Sequence, residues 1–166
     1  MTEHLHLSFE TYLNWFEKQT LPLQITEKTY RQINDLNEPL PDIVVSTFIK
    51  REGENEDVAE YVPVLRLPDT EEVIALVFWR AGLMRYDYFL ATYNQKGELL
   101  DQQLVASTRY EDNNITRSIM RIDEEGLIFV VKGDTALNSK DYDASSSKHS
   151  YFEVLPDGSI QESLNF

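Results

Sequence analysis

Thr92-Tyr93-Asn94-Gln95-Lys96-Gly97-Glu98-Leu99 decides the fold. A strand-like run enters, a short polar connector follows, and its glycine is free to take φ > 0 before a second strand-like run departs. The phrase returns as Arg121-Ile122-Asp123-Glu124-Glu125-Gly126-Leu127-Ile128 and again as Val154-Leu155-Pro156-Asp157-Gly158-Ser159-Ile160. Each predicts a β-hairpin closed by a type I turn with a glycine bulge.

Outward from these turns, runs at 61–67, 73–80, 85–93, 99–107, 115–122, 127–132, 150–155 and 159–162 read as strands. Their short connections make sequence neighbours antiparallel partners, so the sheet is expected to be a meander. Ile74-Ala75-Leu76-Val77-Phe78-Trp79 is apolar throughout, which predicts a strand buried on both faces in the middle of the sheet. Gly82 marks another turn. The stretch 133–147 is polar and without period, and its length makes it a candidate functional loop.

The first 50 residues read differently. Ser8 can cap a helix that sets Phe9, Tyr12, Leu13 and Phe16 on one face until Thr20-Leu21-Pro22 stops it. Thr26 can cap a second, running to Leu36 with Tyr30, Ile33 and Leu36 on one side. After Pro39 and Pro41, residues 42–49 carry two patterns. Asp42 and the apolar i, i+4 pairs favour a helix, whereas the β-branched residues favour a strand; the helix is preferred. The expected fold is α+β: two or three N-terminal helices (1–50) packed on a mostly antiparallel β-meander of about seven or eight strands (61–162), in a single domain of 1–166.

Composition narrows the function. A chain of 166 residues, 42% of them apolar, can bury roughly 70% of its unfolded surface. Nine tyrosines, eight phenylalanines and two tryptophans argue against disorder. The absence of cysteine removes disulfides, thiolate nucleophiles and thiolate metal sites. The longest apolar run, 73–79, falls far short of the roughly 20 residues of a membrane-spanning helix, and the N-terminus lacks the pattern of a signal peptide. No membrane partner and a cytoplasmic address are expected. The net charge of −14 repels phosphate backbones, so nucleic acid is not an expected partner, and a basic protein is. Glu52, Glu54, Glu56 and Asp57 are the densest negative run and the candidate contact for it.

The motifs of catalysis are incomplete. Asp141-Tyr142-Asp143-Ala144-Ser145 opens like a calcium loop, but Ser146 stands where glycine belongs and Phe152 where a bidentate glutamate belongs. Ser145-Ser146-Ser147-Lys148 matches S-x-x-K without the helix or companion triplets that would activate the serine. His4 and His6 form an H-x-H pair at the terminus and His149 precedes the last hairpin; no serine elbow and no glycine-rich phosphate loop accompanies them. Neither a metal nor a cofactor is expected.

One asymmetry remains. Arg66, Arg80, Arg85, Arg109, Arg117 and Arg121 fall in or beside the predicted strands, while acids dominate the connectors. Arg117 and Arg121 share a strand face by their spacing. With Trp79, Tyr86 and Tyr88 they form a candidate face for an anionic or planar ligand, and cross-strand pairing with carboxylates is the structural alternative. Two functions therefore stand open. The first is a non-catalytic cytoplasmic protein-interaction or inhibitor-type module with an acidic surface; the second is a small anionic-ligand-binding protein or enzyme that uses the Arg/Tyr face under the 133–147 loop.

Overall fold

The computed structural model describes residues 8–26, 29, 37–50, 60–68, 72–111, 113–136 and 147–165. It is mostly antiparallel sheet with few helices. In chain order the elements are α1 (Phe9–Leu13), β1 (Leu23–Ile25), α2 (Asp42–Phe48), β2 (Glu60–Arg66), β3 (Ile74–Gly82), β4 (Arg85–Tyr93), β5 (Leu99–Glu111), β6 (Asn114–Ile122), β7 (Ile128–Ala136), β8 (Lys148–Val154) and β9 (Ile160–Asn165). Strands β2 to β9 follow one another across the sheet in sequence order, and β1 pairs with β6.

The three turns share one geometry. Gly97, Gly126 and Gly158 sit at φ of 85°, 85° and 90°, and in each the glycine N–H returns to the carbonyl of the residue that opens the turn, at 2.8–3.1 Å. In the first two that residue caps the loop. Asn94 Oδ1 accepts from Lys96 and Glu98, and Asp123 Oδ1 from Glu125 and Leu127, all at 2.9–3.0 Å. Gly82 does not mark its turn in the same way. It ends β3 opposite Arg85, and Met84, at φ 58°, takes the left-handed position in the two-residue link.

Helix α1 starts as expected, with Ser8 Oγ accepting from the Thr11 amide at 3.2 Å, but it ends at Leu13. The amides of Trp15 and Phe16 close tight turns onto Tyr12 and Leu13, and Glu17 then gives its carbonyl to the Arg66 amide on the edge of β2. Edge pairing thus competes with helix extension and wins. Residues 42–48 are helical despite their β-branching because Val44, Val45 and Phe48 bury one face; on the other, the Ser46 and Thr47 hydroxyls donate to the Asp42 and Ile43 carbonyls. Most of the expected 26–36 helix lies outside the described residues. Leu23–Ile25 just before it is a strand not expected from the sequence.

Two apolar clusters flank the first half of the sheet. Tyr12 of α1, Phe16 just beyond it, and Val44, Val45 and Phe48 of α2 pack on Leu76, Phe78, Phe89 and Tyr93. From the other face, Val77, Trp79, Tyr88 and Leu90 meet Met120, Ile122, Ile128 and Phe152. The sheet therefore folds back over itself. This corrects the expected position of 73–80, which is buried on both faces but lies second from the edge. Cover from the helices on one side and from β6–β9 on the other provides the burial that mid-sheet position was expected to supply.

Candidate anion-binding cleft

The fold-back depends on β5. It pairs with β4 from Leu99 to Arg109, yet with β6 only from Arg109 to Glu111. Beyond that the two strands part, and Ser118 Oγ fills the interval by accepting from the Ser107 amide at 3.2 Å and donating to its carbonyl at 2.8 Å. Strand β1 occupies the edge of β6 that β5 leaves, from Met120 to Ile122. At the far end β5 meets β9 through side chains: the Ile160 amide donates to Asp101 Oδ2 at 2.8 Å, and Gln103 Nε2 donates to the Ile160 carbonyl at 2.8 Å.

Where β5 and β6 diverge, a cleft of about 260 Å³ opens, lined by Arg109, Glu111, Thr116, Lys132, Asp134 and Lys148. Register puts these side chains there. Arg109 lies opposite Thr116, Thr116 opposite Asp134, and Lys132 directly opposite Lys148. Alternation along β7 sends Ile128 and Val130 into the core, so Lys132 follows them on the same face. Arg109 also faces Arg85 across β4. Like charges in direct opposition are destabilising, by an amount on the order of the 0.2–1 kcal/mol that opposite charges gain. Among the described residues, no carboxylate lies within 4 Å of the cationic groups of Arg109, Lys132 or Lys148. Arg109 Nε is buried and has no hydrogen-bond partner there. Of the two acids in the cleft, Asp134 is tied back by the Thr116 hydroxyl, which donates to Oδ1 at 2.7 Å.

A second charged group is internal to the sheet. Asp87, fully buried, receives Arg80 Nη2 at 2.6 Å and Arg85 Nε at 2.7 Å on the same oxygen. The Arg80 guanidinium also lies over the Phe89 ring, 5.0 Å from its centroid. These contacts fix the β3–β4 hairpin beside Arg109.

Comparison with protein-family models, with curated proteins and with solved structures finds no match.

The residues singled out from sequence are divided by the fold. Trp79 and Tyr88 are buried in the core between the two halves of the sheet, and Tyr86 stacks on Trp79 with ring centroids 5.4 Å apart. Arg117 and Arg121 are exposed and alternate with the core residue Met120, so they point to the opposite face of β6. The aromatic trio and the arginine pair do not meet in one site. His149 is exposed on β8 opposite Val131. Glu52, Glu54, Glu56, Asp57, His4, His6 and residues 141–146 lie outside the described residues. The 133–147 stretch is shorter as a connection than expected, since β7 runs to Ala136. Among the described residues no group of three His, Cys, Asp or Glu is placed to hold a metal, and no helix is long and apolar enough to cross a membrane.

Lys132 was not singled out from sequence, and Lys148 only as the lysine of the incomplete S-x-x-K match. The signal for the pair is the inward phase of Ile128, Val130 and Lys132. Reading it also requires the β7–β8 register, which a long connection leaves unspecified.

Proposed function

We propose that the chain is a binding protein for a small anion, held between Arg109, Lys132 and Lys148. The observation that carries this reading is the direct opposition of Lys132 and Lys148 beside the buried Nε of Arg109. An oxyanion seated between them would convert their mutual repulsion into charge-assisted hydrogen bonds, the strong class of such contacts. Glu111 and Asp134 reduce the charge of the cleft but leave the cations in excess. Titration of the purified chain with inorganic phosphate and with acetate, followed by amide NMR, tests it. Shifts are expected at Thr116, Lys132 and Lys148. Lys132→Ala and Lys148→Ala should each weaken binding at least tenfold, whereas Arg117→Ala with Arg121→Ala should leave it unchanged. The reverse pattern would return the site to the exposed arginine face.

The net charge of −14 favours a second reading, a non-catalytic cytoplasmic interaction module that captures a basic protein through Glu52, Glu54, Glu56 and Asp57. Its association rate should fall steeply between 0.01 M and 0.15 M salt, as the Debye length shortens from about 30 Å to about 8 Å. Neutralising the four acids should slow capture in the same way, and indifference to both changes would rule this reading out.

A further inference from the structure

Lys132 and Lys148 line a second cleft as well as the first. This one, about 210 Å³, runs on from the two lysines between β5 and β7–β8, and its walls include Leu104, Val105, Ala106, Val130 and Phe152. The lysines thus stand at the junction of a polar cleft and an apolar one. Each alone is smaller than the roughly 300–1,000 Å³ typical of small-molecule sites, so a ligand of that class would have to span both, past the shared lysines. Both exist for the same reason: β5 is paired with β6 only from Arg109 to Glu111, and before Arg109 it stands away from β6, exposing the inner wall of the fold-back that continuous pairing would have closed.

Resting on the small-anion reading above, we infer that the ligand is an amphiphilic anion, a free small molecule with an acid headgroup and an apolar body such as a medium-chain carboxylate. The headgroup sits among Arg109, Lys132 and Lys148, and the body lies along Val105, Ala106, Val130 and Phe152. A purely polar anion would leave the apolar wall in water, while a neutral apolar molecule would leave the opposed lysines repelling each other. The amphiphile satisfies both halves. Ser150, half-buried on the same cleft and opposite Val130 in register, is the place to block the apolar part without touching the cations.

The test is calorimetric titration of the whole chain with acetate, butyrate, hexanoate, octanoate and neutral octanol. Affinity should rise about fourfold per methylene along the acids, as full burial of each CH₂ predicts, and octanol should bind at least tenfold more weakly than octanoate. Ser150→Phe should flatten the series while leaving acetate unchanged, and Lys148→Ala should weaken every acid. A flat series in the wild-type chain, with acetate bound as well as octanoate, would overturn the inference and leave the small-anion reading standing. Failure of every acid to bind would overturn both. Equal binding of octanol and octanoate would remove the headgroup from the account. Co-sedimentation with phosphatidylserine vesicles in place of octanoate binding would replace a free ligand by a membrane surface. If Ser150→Phe proves unstable, the wild-type series and the octanol comparison still decide.

Discussion

Tyr12 donates its hydroxyl proton to Tyr93 Oη at 2.9 Å, and Tyr93 donates onward to the Phe48 carbonyl at 2.9 Å. The direction is fixed because the single proton of Tyr93 is committed to Phe48. One chain of two bonds therefore joins α1, β4 and the end of α2 inside the aromatic cluster, where Tyr12 also stacks on Phe48 with centroids 4.5 Å apart.

The two hydroxyls should not be equivalent. Tyr93→Phe leaves the Phe48 carbonyl without its donor and Tyr12 without its acceptor, at a cost of about 2–3 kcal/mol, whereas Tyr12→Phe removes a single terminal donor and should cost about 1 kcal/mol. Urea midpoints of the two variants check the order, and equal losses would contradict the direction of the chain.

Burial pushes both hydroxyls above the ordinary tyrosine range, with the Tyr93 contact adding to the rise at Tyr12. The folded protein thus favours their neutral forms. Their contribution is fully present below the unfolded value of about pH 10 and is lost as pH rises above it. Stability measured between pH 8 and pH 11 should fall, and Tyr12→Phe with Tyr93→Phe should make that fall shallower. An unchanged slope in the double variant would assign the alkaline loss to other groups.

The turn glycines divide by what a side chain would meet. At Gly126 a Cβ would meet nothing within 4 Å, so Gly126→Ala bears only the strain of positive φ, about 1 kcal/mol. At Gly97 a Cβ would fall 2.7 Å from Phe9 Cγ, and at Gly158 it would overlap Leu100. Gly97→Ala and Gly158→Ala should therefore lose distinctly more than Gly126→Ala in thermal unfolding. Equal losses would show that Phe9 and Leu100 yield without cost.

The side-chain link between β5 and β9 should be measurable by itself. Asp101→Ala removes the acceptor of the Ile160 amide, a bond to a charged group worth about 1.5–3 kcal/mol. Hydrogen exchange at Ile160 should accelerate far more than at Ile122, which is held by backbone pairing on both sides. Uniform acceleration would make the loss global.

Local chemistry made most of the sheet readable. The hairpin glycines specify their turns within a few residues, and the alternation of β6 survives folding because one of its faces is buried. What escaped depends on contacts distant in sequence. The end of α1 is set by Arg66, some fifty residues further on, and the burial of β3 by helices and strands from both ends of the chain. The site escaped for the same reason. Arg117 and Arg121 share a face by local spacing, but which face is turned inward follows from the fold-back, and Arg109 meets Lys132 and Lys148 only once β5 has changed partners.

The two flanks of the sheet differ in what they can accept. Along β2, Pro63 has no N–H to offer, its carbonyl is taken by Asn37 Nδ2, the Tyr61 carbonyl by the Leu40 amide and the Arg66 amide by Glu17. The other flank is β9, whose ladder partner is β8. Among the described residues, the β2 flank therefore offers a foreign strand few free ladder groups. On β9 the Ile160 amide and carbonyl are held by Asp101 and Gln103, so a strand added there would pair beyond them.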